Sequence, residues 1–161
     1  MYLDSVGKVT VATGLMLADV AAAMALPFQF AGQVADAGDV RADYLRVEKM
    51  PPNKVAGFYH SDTSPTLSQA AMQQITSDLL LQFDSYLRRD FPMLDQYPDS
   101  AKSALLDMTY NLGPTGVMKF KRMIAAIEAG DWTVAANESN RPQLNADRNL
   151  WTKQQFLEAA Q

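Results

Sequence analysis

From Thr66 to Asp90 the apolar residues Ala71, Met72, Ile75, Leu79, Phe83, Tyr86 and Leu87 recur at steps of three and four. No other stretch constrains the fold as strongly. Thr66 or Ser68 is placed to cap the start, and Arg88-Arg89 lie near the end, where cations suit the helix dipole. A helix of some 22 residues would be about 33 Å long, the width of a small domain. Such a rod is long enough to join two lobes. It is expected to act as a spine, with an N-terminal lobe over residues 1–65 and a helical lobe filling the rest of 66–161.

Downstream the pattern stays helical. Pro98-Asp99-Ser100 open a helix over 101–110, with Ala104, Leu105 and Met108 on one face. Leu112-Gly113-Pro114-Thr115-Gly116 break it, and a further helix is predicted over 117–129, stopped by Gly130. Asp131 caps a short helix through about Asn137, and Asn145 or Asp147 opens the last one, ending near Gln161. Upstream, the apolar run 15–30 reads as a buried Ala-rich helix whose helical part, 17–26, is stopped at Pro27, and 36–50 as an amphipathic helix halted by Pro51-Pro52. Residues 53–65, with Phe58, Tyr59 and His60, fit either a loop beside a cleft or a packed connector. Trp132 and Trp151 are expected as core anchors. His60 is expected to be structural or exposed.

Composition narrows the chemistry. The chain has 161 residues, no cysteine and one histidine, so thiolate nucleophiles, zinc-thiolate sites and multi-histidine centres are excluded. The aspartates are scattered without a calcium-loop pattern, and neither a metal nor another cofactor is expected. A net charge of -4 argues against nucleic acid as the main partner. Asp19 and Pro27 interrupt the apolar run at 15–30, which therefore falls short of the roughly 18 uncharged residues of a spanning helix. It also makes no convincing signal peptide, so export information would have to come from elsewhere.

The front of the chain is the other informative stretch. Tyr2 and Leu3 suit an extended segment, Asp4-Ser5-Val6-Gly7 is turn chemistry, and Val9, Thr10, Val11 and Thr13 are β-branched. A hairpin there is expected to set Asp4 and Thr10 across from one another near its open side. A carboxylate only accepts hydrogen bonds, whereas a hydroxyl donates and accepts, so the pair can hold a water and take its proton. Equally, Asp4 starts a turn and Thr10 fills a strand.

Two stretches together bear a family likeness. The run Ala104-Leu105-Leu106-Asp107-Met108-Thr109-Tyr110-Asn111-Leu112-Gly113-Pro114-Thr115-Gly116, followed by Lys119-Phe120 and Ala129-Gly130-Asp131-Trp132, resembles the helical lobe of phage-type (T-even endolysin-like) lysozymes, glycoside hydrolase family 24. Tyr2, Asp4, Gly7, Thr10 and Gly14 fall in register with the hairpin signature of the same family. The resemblance spans nearly the whole chain and is weakest over 15–65. It implies a lysozyme-like α+β fold, mainly helical, with a small hairpin lobe and a helical lobe joined by the spine helix.

The resemblance also implies hydrolysis of the β-1,4 bond between N-acetylmuramic acid and N-acetylglucosamine in peptidoglycan. Asp4 would be the base or electrostatic partner, and Thr10 would help hold the water. Tyr2, Asn111, Leu112 and Gly113 would line the saccharide site. Arg148 stands where the family has an arginine near its catalytic glutamate. Bland alternatives exist: Asn111 as a helix-end cap, Arg148 in a surface ion pair, Tyr2 as an ordinary strand aromatic. The sequence departs from the family at Ala12, where a glycine stands, and at Leu15, where a histidine stands. It departs most at the general acid, whose position falls ahead of Met1, so the chain reads as a muramidase fragment. Its parent would be a phage endolysin or a secreted antibacterial effector with a cognate immunity protein, acting as a monomer on the periplasmic cell wall. The alternative is a peptidoglycan-binding module that kept the cleft and lost the acid.

Overall fold

The computed structural model describes residues 1–4 and 6–161; Ser5, inside the expected Asp4–Gly7 turn, lies outside the described residues. The chain is α+β and mainly helical, with two small three-stranded antiparallel sheets. Contacts divide it into two units, Met1–Leu79 and Leu80–Gln161. The division falls inside α4 (Gln69–Asp90), the 22-residue helix whose periodicity is described above. Ser68 Oγ accepts a hydrogen bond from the Ala71 amide and caps its start. Among the described residues no helix is long and apolar enough to cross a membrane.

The first unit opens with a meander rather than a simple hairpin. Strands β1 (Tyr2–Leu3), β2 (Val9–Val11) and β3 (Leu15–Met16) pair in the order β1-β2-β3. All three residues of β2 are buried, because the strand is central and covered on both faces. The helix expected over 17–26 is cut to the five-residue α1 (Val20–Met24), whose buried residue is Ala23, and it is flanked by β3 and by strand β4 (Phe28–Phe30). Asp19 is the reason for the late start: its Oδ1 accepts from the Ala22 amide at 2.8 Å and fixes the helix N-terminus there. Strands β4, β5 (Gln33–Val34) and β6 (Thr66–Leu67) make a second sheet in the order β5-β4-β6, which the sequence reading did not anticipate. Helix α2 (Ala37–Glu48), capped by Asp36, lies where the amphipathic pattern placed it.

Leu3, Val9, Val11, Phe28, Val40, Val47 and Tyr59 are among the residues forming this unit's core. The segment 53–65 contains a short helix α3 (Ala56–Tyr59) and combines both expected readings: Tyr59, Ser64 and Pro65 are buried and anchor it, while most of its other residues are exposed and Ala56, His60 and Pro65 line a cavity. Tyr59 is fully buried and donates to the Pro51 carbonyl at 2.9 Å. Buried Asp43 on α2 accepts from Ser64 Oγ at 2.8 Å and pairs with Arg46 at 2.7 Å, so polar bonds fasten the connector to α2. His60 is exposed.

Ala12 carries φ 48°, in the left-handed region that an L side chain enters at about 1–2 kcal/mol. This is the position at which the resemblance expects glycine. Ala12→Gly is accordingly expected to leave stability unchanged or raise it by up to about 1 kcal/mol, since relief of strain opposes the added freedom of the unfolded chain. Urea unfolding checks this; a loss of about 1 kcal/mol, the result for a helical alanine, would contradict it.

The second unit is helical. After α4 come a 3₁₀ turn (Leu94–Gln96), α5 (Asp99–Leu112), α6 (Pro114–Val117), α7 (Lys121–Glu128), α8 (Trp132–Glu138) and α9 (Ala146–Glu158). The helix expected over 117–129 starts late, at Lys121, because Phe120 has φ -81° and ψ 63°, which is not helical, and packs against the core; the break expected at 112–116 holds most of the short α6. Gly130, at φ 72°, closes α7, with the Asp131 amide reaching back to the Ala126 carbonyl at 2.8 Å. α5 packs on α9, and α8 on both α7 and α9. Leu105, Met108, Met123, Ile127 and Phe156 centre the core. Trp132 joins its edge, stacked with Phe156 at 6.5 Å, whereas Trp151 is 46% exposed and no core anchor. On α9 it faces outward, one position ahead of buried Thr152.

Candidate functional site

In the first unit the candidate residues are set by the β1–β2 turn. The Asp4 amide donates to the Lys8 carbonyl at 3.0 Å, and Gly7, at φ 79°, turns the chain so that its amide reaches the Asp4 carbonyl at 3.1 Å. Asp4 Oδ1 accepts from the amides of Val6 and Lys8, at 2.9 and 2.8 Å. One carboxylate oxygen is therefore fixed by two backbone donors. The other accepts no hydrogen bond from any described residue. Asp4 thus performs the turn-forming role and still presents an acceptor.

Thr10 is not directly across from Asp4. The register pairs Tyr2 with Thr10 and Leu3 with Val9, so Asp4 stands opposite Lys8 and diagonal to Thr10 on the same sheet face. Thr10 is 2% exposed, and its hydroxyl donates to the Lys8 carbonyl at 3.0 Å. Its lone pairs remain the means by which it could hold a water. Tyr2 is half-buried; its hydroxyl reaches the Ala12 carbonyl at 3.5 Å, and its ring lines a cavity of about 340 Å³ with Val11, Phe28, His60 and Met72.

In the second unit the helix break is built around Gly113. Its φ of 67° and ψ of 167° belong to a region essentially reserved for glycine. Pro114 follows as the first residue of α6, where its missing N–H is no loss. A Cβ on Gly116 would come within 2.7 Å of Leu112 Cβ, so the second glycine of the break allows close packing on Leu112. Gly113→Ala is expected to lower stability by about 1–3 kcal/mol through backbone strain alone, because a Cβ there meets nothing within 4 Å. Thermal unfolding measures this, and an unchanged midpoint would exclude the strain.

Asn111 does not cap the free carbonyls at the end of its helix. Its Nδ2 donates back to the Asp107 carbonyl at 2.6 Å and approaches Asp107 Oδ1 at 3.4 Å. Arg148, on α9, is likewise committed to Asp107: Nε and Nη2 donate to Oδ1 at 2.9 and 2.6 Å, and the guanidinium lies 5.8 Å from the Tyr110 ring centroid. Neither Asp147 nor a glutamate is its partner. Asn111 and Arg148 are thus brought together by Asp107, with Leu112 and Gly113 on the next turn of chain.

The organising residues here, Asp107, Arg141 and Thr152, were not singled out as site residues from the sequence. Arg141 is fully buried, and its Nη1 lies 2.9 Å from Asp107 Oδ2. Its Nη2 donates to Thr152 Oγ1, which in turn donates to Asp107 Oδ2 at 3.0 Å. Asn149 clasps the Arg141 backbone from both sides, accepting from its amide and donating to its carbonyl, each at 2.9 Å. Burial by itself would raise the Asp107 pKa, but the bonds from Arg148, Arg141 and Thr152 outweigh it and hold the carboxyl below its usual range. The available signal was an aspartate within the otherwise apolar run Ala104–Met108, which demands a cation from elsewhere in the fold.

Comparison with protein-family models, with curated proteins and with solved structures finds no match to this chain.

Proposed function

We propose that this chain is the base-bearing and saccharide-binding part of a peptidoglycan muramidase, hydrolysing the β-1,4 bond between N-acetylmuramic acid and N-acetylglucosamine. The observation that carries this reading is the Asp4 carboxylate, pinned through Oδ1 by two backbone amides with Oδ2 left to accept a proton. Glycoside hydrolysis with inversion needs such a base to activate water on one face of the sugar, and a protonated carboxyl to donate to the leaving oxygen on the other. Asn111, whose carboxamide oxygen accepts no bond from a described residue, is suited to an N-acetyl N–H. Gly113 shapes the backbone beside it. The natural setting is the bacterial cell wall, reached from the periplasm, with a phage endolysin or a secreted effector as parent. An effector requires an immunity protein in the cell that makes it.

The acid is the open half of this reaction. The chain's four glutamates are Glu48, Glu128, Glu138 and Glu158. Each is the last residue of a helix, and none stands on the meander with Asp4. Turnover is therefore expected when a glutamate from any encoded segment preceding residue 1 is present, and little from residues 1–161 alone. The same observation, with Thr10 buried against the Lys8 carbonyl, favours a second reading: a module that grips glycan strands without cutting them. Incubation with purified sacculi separates the two. Muropeptides with new reducing muramic ends, scored by mass, support hydrolysis; retention on sacculi without release supports binding. Neither release nor retention would remove both readings.

A further inference from the structure

A cavity of about 540 Å³ opens in the second unit between the end of α4 and the turn joining α7 to α8. Its floor is Phe91 and Ile127, both buried, and its walls are the half-buried rings of Tyr97 and Trp132. Those rings meet at 75° with centroids 5.2 Å apart, and Phe91 meets Tyr97 at 70° and 6.4 Å. The reverse side of Trp132 is stacked on Phe156, so the indole is held in place. Two carboxylates, Asp90 and Glu128, stand among the lining residues, and no lysine, arginine or histidine does.

Those carboxylates differ. Asp90 is neutralised by Arg89, whose Nε and Nη2 donate to its two oxygens at 2.8 and 2.9 Å. Glu128 makes no ion pair with any described residue. Its charge is nevertheless felt inside the cavity: burial raises the Tyr97 phenol above its usual pKa, and Glu128 raises it further. An uncompensated negative charge beside fixed aromatic faces attracts a soft organic cation, through the carboxylate and through the ring quadrupoles together.

We propose that this cavity is a binding site for an alkylammonium group, carried by a free amine or by a lysine-type side chain. Nothing in the muramidase reading requires it, and its test is independent of peptidoglycan. The volume lies within the range of small-molecule sites and leaves room for the alkyl chain against Phe91 and Met93.

Trp132 reports on the site once the other tryptophan is changed. In a Trp151→Phe background, fluorescence is titrated with n-butylammonium chloride, with sodium chloride at equal ionic strength, and with 1-butanol as the neutral isostere. Saturable binding of butylammonium in the millimolar range is expected, with no saturation by salt or alcohol. Glu128→Gln should weaken it about fivefold. Glu128 is exposed at the end of α7, so this variant keeps the fold, and circular dichroism verifies that. A parallel titration with Nα-acetyl-lysine methylamide distinguishes the sources: tighter binding than butylammonium points to a peptide side chain, weaker binding to a free amine. Equal binding of butanol, no saturation by butylammonium, or an unchanged Glu128→Gln variant would overturn the proposal.

Discussion

Asp107→Asn is expected to destabilise the protein by about 3–5 kcal/mol, the characteristic loss when one partner of a buried ion pair is removed. The reason is Arg141, which is fully buried and, among the described residues, has only Asp107 as a carboxylate partner. Its Nε already lacks a hydrogen-bond acceptor, and its Nη1 meets Asp107 at 2.9 Å in a direction poorly suited to a hydrogen bond. Asparagine would keep one acceptor oxygen but present N–H groups and no charge to two guanidiniums. For a chain of this size the midpoint of thermal unfolding should fall by roughly 10 °C. Replacing Asp107 and Arg141 together with leucine and methionine should recover much of the loss, because the buried charge is gone and Arg148, which also loses Asp107, is exposed enough to turn to water. A shift under 2 °C in the single variant would mean that water or relaxation already serves Arg141.

The same carboxyl dictates an acid limb. Its pKa is lowered on folding, so the folded state binds its proton less readily than the unfolded chain does. Stability from this group is therefore fully present above the ordinary aspartate value of about 3.9 and is lost as pH falls through the lowered folded value. Asp107→Asn should flatten stability against pH over that window, while stability near neutrality falls.

The second large effect concerns chemistry. In a form carrying an upstream glutamate, Asp4→Asn should reduce peptidoglycan hydrolysis by about 10²–10⁴-fold, the contribution of a positioned base. The substitution is chosen because the turn uses only Oδ1, as acceptor of the Val6 and Lys8 amides. An asparagine carbonyl can replace it there, so the hairpin survives while the proton acceptor is gone. Asp4→Ala removes both roles and should lose about 1–2 kcal/mol of stability in addition, as for a lost side-chain cap.

The sequence was most informative where one local rule decides the outcome. The periodicity of Ala71 to Leu87 located α4, Asp131 and Asn145 marked helix starts through their side-chain acceptors, and Gly130 marked an end. It misled where several short elements share one apolar run. Residues 15–30 look uniformly buried, yet Asp19 and Pro27 divide them, and two- or three-residue strands show no alternation to count. Pairing of Phe28 with Leu67 is a tertiary fact that neither segment announces. In the same way Asn111 and Arg148 could be read from the chain, but not Asp107, because the significance of an aspartate on a packed helix depends on Arg141 and Arg148 arriving from distant sequence. The diagonal placement of Thr10 follows from a turn register that composition does not specify.

The most direct test of the muramidase proposal is the release of reducing ends from sacculi by this chain, alone and in a form extended ahead of residue 1 by a glutamate-bearing segment, each paired with its Asp4→Asn variant. The account predicts release by the extended form, its loss on Asp4→Asn, and little release by residues 1–161 alone. Release that proceeds equally with asparagine at position 4 would contradict it and would move the catalytic base elsewhere.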